Sequence, residues 1–351
     1  MKLQVRKDCS ASQIGSHPMG PAFGSLRVLL LAALVGIFFG NQLPGVFPEW
    51  LVQSISSLIL IVMMFLCGRS LQRGTLSNSW GIFNAGRGPI LVALGLSLSI
   101  FAVTATVCFA LGWTSMGILF MMLSVAPVAN SSVGWTEVDQ ATDNAYSNQV
   151  GSSAPSILAY SESINLTMIA LSWIPFLIAV IVMSFVSSTS ANLWNILVTL
   201  LASILGVVLG MVFGRSSDFQ RYTLRKSSQL SLACIGVLNL LAAYRFAASG
   251  SVWAEWQGIS SAILIAAIIF SSAIWVFTGK TNASTSRVLI RGAVMKNTGI
   301  FSAFTLASGG SPTILAALMT YTIAQHFFAA FITSLKNSPP IAEPQSSAVA
   351  A

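Results

Sequence analysis

The chain is poor in charge. Only 7% of its 351 residues are charged, and just nine are acidic. A soluble domain carries ~25% charged residues. Mean hydropathy is +0.80, and the apolar segments are apolar all round rather than along one stripe, so a soluble globular fold is excluded. The net charge of +8 is spread along the chain and forms no basic domain, which excludes nucleic acid as a partner. Cysteine is also scarce. Cys67, Cys108 and Cys234 lie inside apolar segments and Cys9 in the polar N-terminus, a spacing that fits neither a disulfide framework nor a zinc site. There is no His-Glu-x-x-His, no paired Asp motif within an apolar segment and no Ser/His dyad by spacing, so the chain is not expected to be an enzyme.

Long apolar runs are what remain. About 20 apolar residues cross the hydrocarbon core as a helix. Ten segments qualify, at about 27–45, 50–69, 89–112, 116–133, 164–186, 193–214, 228–247, 257–279, 288–307 and 312–335. The run from Leu29 to Gly40 has the basic start of a signal peptide but no convincing small-residue cleavage site, so it is read as span one. Residues 1–26 and the Pro-rich tail 336–351 read as disordered. The expectation is an all-α polytopic membrane protein whose transporter domain covers 27–335.

Basic residues choose the orientation. With ten spans, every Lys and Arg except Arg245 and Lys296 falls on one side, so both termini are expected in the cytoplasm, of a bacterial inner membrane. The connection from about 130 to 163 should face the same side. It contains no Lys or Arg and holds Glu137, Asp139, Asp143 and Glu162.

Ten spans divide into five and five, and an odd number per half inverts the second half. The expected repeats are about 27–186 and 193–335. Secondary transporters built on inverted repeats form their sites at discontinuous helices in matching positions, here spans four and nine. Span four meets Pro127, Asn130, Ser131, Ser132 and Gly134; span nine contains Lys296-Asn297-Thr298-Gly299. Pro, Gly and Asn weaken a helix and release backbone groups, tolerated at membrane depth where protein or a water-filled cavity satisfies them. Lys296 is the costly residue. A charge at mid-bilayer is unfavourable by roughly 2.5–3.5 kcal/mol.

The segment Arg291-Gly-Ala-Val-Met-Lys-Asn-Thr-Gly-Ile-Phe-Ser-Ala-Phe resembles the ninth-span motif of the bile acid:sodium symporter superfamily, roughly Glu-x-Gly-Met-Gln-Asn-Ser-Gly-Leu. Met63-Met64-Phe65-Leu66-Cys67-Gly68 resembles its second-span Met-Phe-x-Met-Gly-Leu, and Ser161-Glu-Ser-Ile-Asn-Leu-Thr167 resembles the start of its fifth span. The resemblance covers about 27–335. It implies a core of spans three to five and eight to ten, a panel of spans one, two, six and seven, and spans four and nine crossing near the midplane. A small organic anion would bind between the two domains, often with sodium. This chain departs from that pattern at the sodium site. The family's sodium-binding Glu falls on Gly292 and its Gln on Lys296; Thr167 and Ser153 match possible sodium ligands.

Losing the Glu and gaining an ammonium weakens the case for sodium, and no other cofactor is implied. Three roles for Lys296 stand open. Its ammonium can replace the bound ion, donating to the same kinds of acceptor, with transport then proton-coupled or uncoupled. It can face the cavity and pair with an anionic substrate. It can pair with a buried carboxylate, Glu137, Asp139 or Glu162. Asn297 and Thr298, with Asn130, Ser131 and Ser132 opposite, are expected to line the crossing, and Ser97 and Gln325 are further candidates on spans three and ten. His326 reads as a packed histidine. The expected function is a secondary transporter working by alternating access in a lipid bilayer. The rivals are a conventional sodium-coupled symporter and a channel or signalling membrane protein of transporter ancestry.

Overall fold

A computed structural model describes residues 19–73, 76–129, 135, 164, 167–168, 171, 204–206, 208–210, 212, 220–250, 256–278, 283–307 and 311–334. Every element in this set is a helix: α1 Met19–Gln42, α2 Glu49–Arg73, α3 Leu76–Ala110, α4 Thr114–Val125, α5 Gln220–Ala248, α6 Trp256–Phe277, α7 Ala283–Val294, α8 Thr298–Ala307 and α9 Pro312–Ser334. Spans five and six lie mostly outside the described residues.

Among the described residues, α1, α2, α3, α5, α6 and α9 are long and apolar enough to cross a bilayer. Their outward faces carry exposed Leu31, Leu34, Phe38, Val103, Leu264 and Trp275. In water such surfaces would be large apolar patches; against lipid tails they are at no disadvantage. The chain is an integral membrane protein. Several helices begin before the expected boundary. α1 starts at Met19, inside the stretch read as disordered, and its Pro21 sits in the first turn, where a missing N–H costs nothing. α3 and α5 likewise start ahead of about 89 and 228. The first turns of α3 and α5 are rich in Ser, Asn, Gln, Arg and Lys, so an apolar-length criterion passes over them.

Two apolar helices are too short to span: α4 and α8, with 12 and 10 residues. At 1.5 Å per residue they reach ~15–18 Å, about half of a ~30 Å core. α7 and α8 follow one another, separated by residues 295–297.

The bundle is closed by glycines at close approaches. A Cβ at Gly36 or Gly40 of α1 would run into the Leu240 and Tyr244 carbonyls of α5 and the Ala243 and Ala247 methyls. Small residues four apart on both helices let the backbones meet. A Cβ at Gly206, within the sixth expected span, would come to 3.1 Å from the Ile61 carbonyl oxygen and from Met64 Cβ of α2. At the end of α5, the Tyr244 hydroxyl accepts the N–H groups of Gly45 (2.7 Å) and Phe47 (3.3 Å), and Arg245 pairs with Glu49 at 3.0 Å. Arg245, the one basic residue expected on its side, thus has a carboxylate beside it. Exposed Trp50, Trp113 and Trp256 lie at helix ends, where amphipathic aromatic rings suit a membrane–water interface.

Gly36→Ala is expected to lower the midpoint of thermal unfolding in detergent, because the obstructing atoms are backbone and overpacking costs ~1–3 kcal/mol. Gly24→Ala, where nothing lies within 4 Å, should leave it unchanged or raised; equal effects would contradict the close α1–α5 contact.

Candidate functional site

Two helices break, and the breaks meet. α4 stops at Val125. Proline cannot follow a helical residue comfortably, and Ala126, before Pro127, is extended at φ −60°, ψ 131°. α7 stops at Val294, and α8 restarts at Thr298. Between them Lys296 forms an antiparallel β-bridge with Val128. The flanking bonds run from Ala129 N–H to the Met295 carbonyl (2.9 Å) and from Asn297 N–H to the Pro127 carbonyl (2.7 Å).

The remaining backbone groups of the second break are met from other directions. Met295 N–H donates to the Arg291 carbonyl at 2.7 Å and Thr298 N–H to the Lys296 carbonyl at 2.8 Å. Tyr321 of α9 donates its hydroxyl to the Val294 carbonyl at 2.7 Å. Gln325 Oε1 accepts Lys296 N–H at 2.8 Å. Buried backbone groups left without partners would each cost about 1–3 kcal/mol, so this pairing is what lets two helices end in the protein interior.

Side chains extend the network along α9. The Thr322 hydroxyl has one proton and donates it to the Leu318 carbonyl at 2.7 Å. The 2.6 Å contact between Thr298 and Thr322 hydroxyls is therefore donated by Thr298. Thr298 in turn accepts from Gln325 Nε2 at 3.4 Å. His326 is buried, with Nδ1 2.8 Å from the Thr322 carbonyl.

Lys296 is 2% exposed. Its Nζ donates to the Ala126 carbonyl, 3.3 Å away and 170 residues distant in sequence. A continuous helix would give that carbonyl an N–H four residues on; the break removes it. The ammonium therefore lies at the C-terminal end of α4, where unmet carbonyls concentrate partial negative charge. Among the described residues it forms no ion pair with a carboxylate. Glu137, Asp139 and Glu162, the carboxylates considered for it, lie outside the described residues.

The crossing gathers Lys296, Asn297, Thr298 and Gln325. Asn297 is buried, and its Nδ2 has no hydrogen-bond partner among the described residues. Ser97 is buried too, but its hydroxyl donates to the Leu94 carbonyl of its own helix at 3.3 Å. Thr167 is buried. Asn130, Ser131, Ser132 and Ser153 lie outside the described residues.

Gly292, where the resemblance puts a sodium-binding carboxylate, faces a thioether. A Cβ there would collide with Cε of Met168. The atoms a larger side chain would first meet are Cε and Sδ of Met168, the end of a flexible side chain.

Reading Arg287 and Arg291 as loop charges misses their place. Both lie in α7, 9% and 1% exposed. Arg291 Nη2 donates to the Thr333 hydroxyl at 2.7 Å, and its guanidinium sits 5.8 Å from the Trp135 ring centroid. Lys296 is thus not the only basic residue buried within span nine. The i, i+4 spacing of the two arginines was the available signal, since it puts both on one helix face.

A scan of protein-family models finds none that matches the chain, and a search of curated proteins finds no match.

Tyr321→Phe is expected to destabilise the protein by about 1–3 kcal/mol, because it leaves the buried Val294 carbonyl without a donor. SDS titration of the folded protein measures this. Thr104→Val, which removes only a hydroxyl bonded to its own helix, should change little.

Proposed function

We propose that this protein is a secondary active transporter that moves a small organic anion by alternating access, and that the Lys296 ammonium does the work of a bound metal cation. The observation that carries this reading is the Lys296 Nζ bond to the Ala126 carbonyl. A cation held between two interrupted helices neutralises carbonyls freed by the break and ties the halves together. Here a covalently attached ammonium does so. Position 292 is glycine and supplies no carboxylate, which speaks against a carboxylate-dependent sodium site there.

The same reading includes a ten-helix inverted repeat resembling the bile acid:sodium symporters, with both termini in the cytoplasm of a bacterial inner membrane. Two features support the repeat. The interrupted helices are the fourth and ninth spans, which correspond under it. The glycine contact of span one on span seven (Gly36 and Gly40 on α5) is matched by that of span six on span two (Gly206 on α2), and the repeat interchanges these pairs.

Proteoliposomes loaded with unlabelled organic anions and challenged with the labelled compounds test the proposal. Uptake should be saturable and accelerated by counter-substrate, and should persist when choline replaces sodium. Lys296→Gln should reduce it at least about tenfold, the equivalent of ~1.4 kcal/mol. Uptake that requires sodium in the wild type, or a Lys296→Gln rate and pH profile equal to wild type, would overturn the cation role. Non-saturable flux would indicate a channel.

A further inference from the structure

The bridge between Val128 and Lys296 is of the kind in which the paired residues do not bond each other. The hydrogen bonds belong to their neighbours, Ala129 with Met295 and Asn297 with Pro127. In this arrangement the N–H of Lys296 points away from Val128, to the outer edge of the bridge. A buried outer edge needs an acceptor, and no further strand covers it among the described residues.

Gln325 covers it. The residue is 1% exposed. Its Oε1 accepts the Lys296 N–H at 2.8 Å, and its Nε2 donates to Thr298 Oγ1 at 3.4 Å. One side chain thus holds the interrupted residue and the first residue of α8. Tyr321, one turn earlier on the same face of α9, holds the last residue of α7 through the Val294 carbonyl.

We propose that Gln325 is a positioning residue for Lys296. By completing the outer edge of the bridge it keeps the Lys296 backbone extended and paired with Val128. That backbone geometry sends the side chain across to the Ala126 carbonyl. Oε1 and Nε2 of Gln325 bond the Lys296 N–H and Thr298 Oγ1, while the Lys296 ammonium bonds the Ala126 carbonyl beyond the end of α4. The inference rests on the geometry of the crossing and not on transport; it stands or falls separately from the transporter reading.

The test uses the full chain in nanodiscs, with two readouts. Amide hydrogen exchange over residues 294–299 reports the Lys296 N–H, and reductive methylation by formaldehyde and cyanoborohydride, read by mass spectrometry, reports Nζ. Gln325→Leu should raise both at least about tenfold, the effect of losing one buried hydrogen bond, while α3 and α6 keep wild-type protection. Gln325→Glu keeps an acceptor oxygen for the N–H and should retain wild-type amide protection. Gln325→Met, close to Gln in length, is read like Gln325→Leu should the latter fail to fold. The proposal is overturned if Gln325→Leu or Gln325→Met leaves both rates unchanged, if Gln325→Glu exchanges as fast as they do, or if protection falls equally in α3 and α6.

Discussion

The structure depends on how backbone hydrogen bonds are met where two helices stop in the buried interior. A helix end leaves several N–H and C=O groups without intrahelical bonds, and burial keeps water from supplying partners. The chain brings the two ends together so that each supplies what the other lacks. Pro127 and Met295 give carbonyls, Asn297 and Ala129 give N–H groups, and α9 supplies Tyr321 and Gln325 for the remaining side. The Ala126 carbonyl receives a charged donor, the ammonium of Lys296. The lysine thus has a structural reason to be at the crossing: it is a donor that needs no backbone to carry it.

That arrangement also limits what the site can hold. An ammonium on a side chain cannot leave, whereas a metal ion can; under the proposed transporter reading the cycle would reset without releasing an ion. The neighbourhood agrees with this economy of ligands. Position 292 is glycine and supplies no carboxylate, and the threonine–glutamine chain along α9 runs from the crossing to a backbone carbonyl at Leu318 and ends there. Of the two buried arginines of α7, Arg291 is held by Thr333 and the Trp135 ring.

Much of this was legible in the sequence because bilayer spans are written in length and hydropathy. The apolar cores of the six long helices were found from those alone, and the breaks at Pro127 and at Lys296-Asn297 follow from proline's missing N–H and from a charge that a straight helix cannot hide. The helix starts at Leu76 and Gln220 were not legible, since polar turns leave no apolar signal. Nor was the partnership of Lys296 with Ala126: a backbone carbonyl has no sequence signature, and every residue has one. Arg287 and Arg291 were misread for the opposite reason, as a charge near a span end reads as a loop until its helix is seen packed on both sides. Gln325 was singled out by its polarity at mid-span, but that its oxygen serves a main-chain N–H emerges only from the geometry of the bridge.

The central claim is that the ammonium of Lys296 holds the position a metal cation would otherwise take. Thermal unfolding of the purified protein in matched series of sodium chloride and choline chloride tests it most directly, because a ligand bound only by the native state raises the midpoint in proportion to the logarithm of its excess over Kd. The account predicts identical midpoints in the two salts for the wild type and a lowered midpoint for Lys296→Gln. A saturable, sodium-specific rise in the wild type, with Lys296 intact, would contradict it.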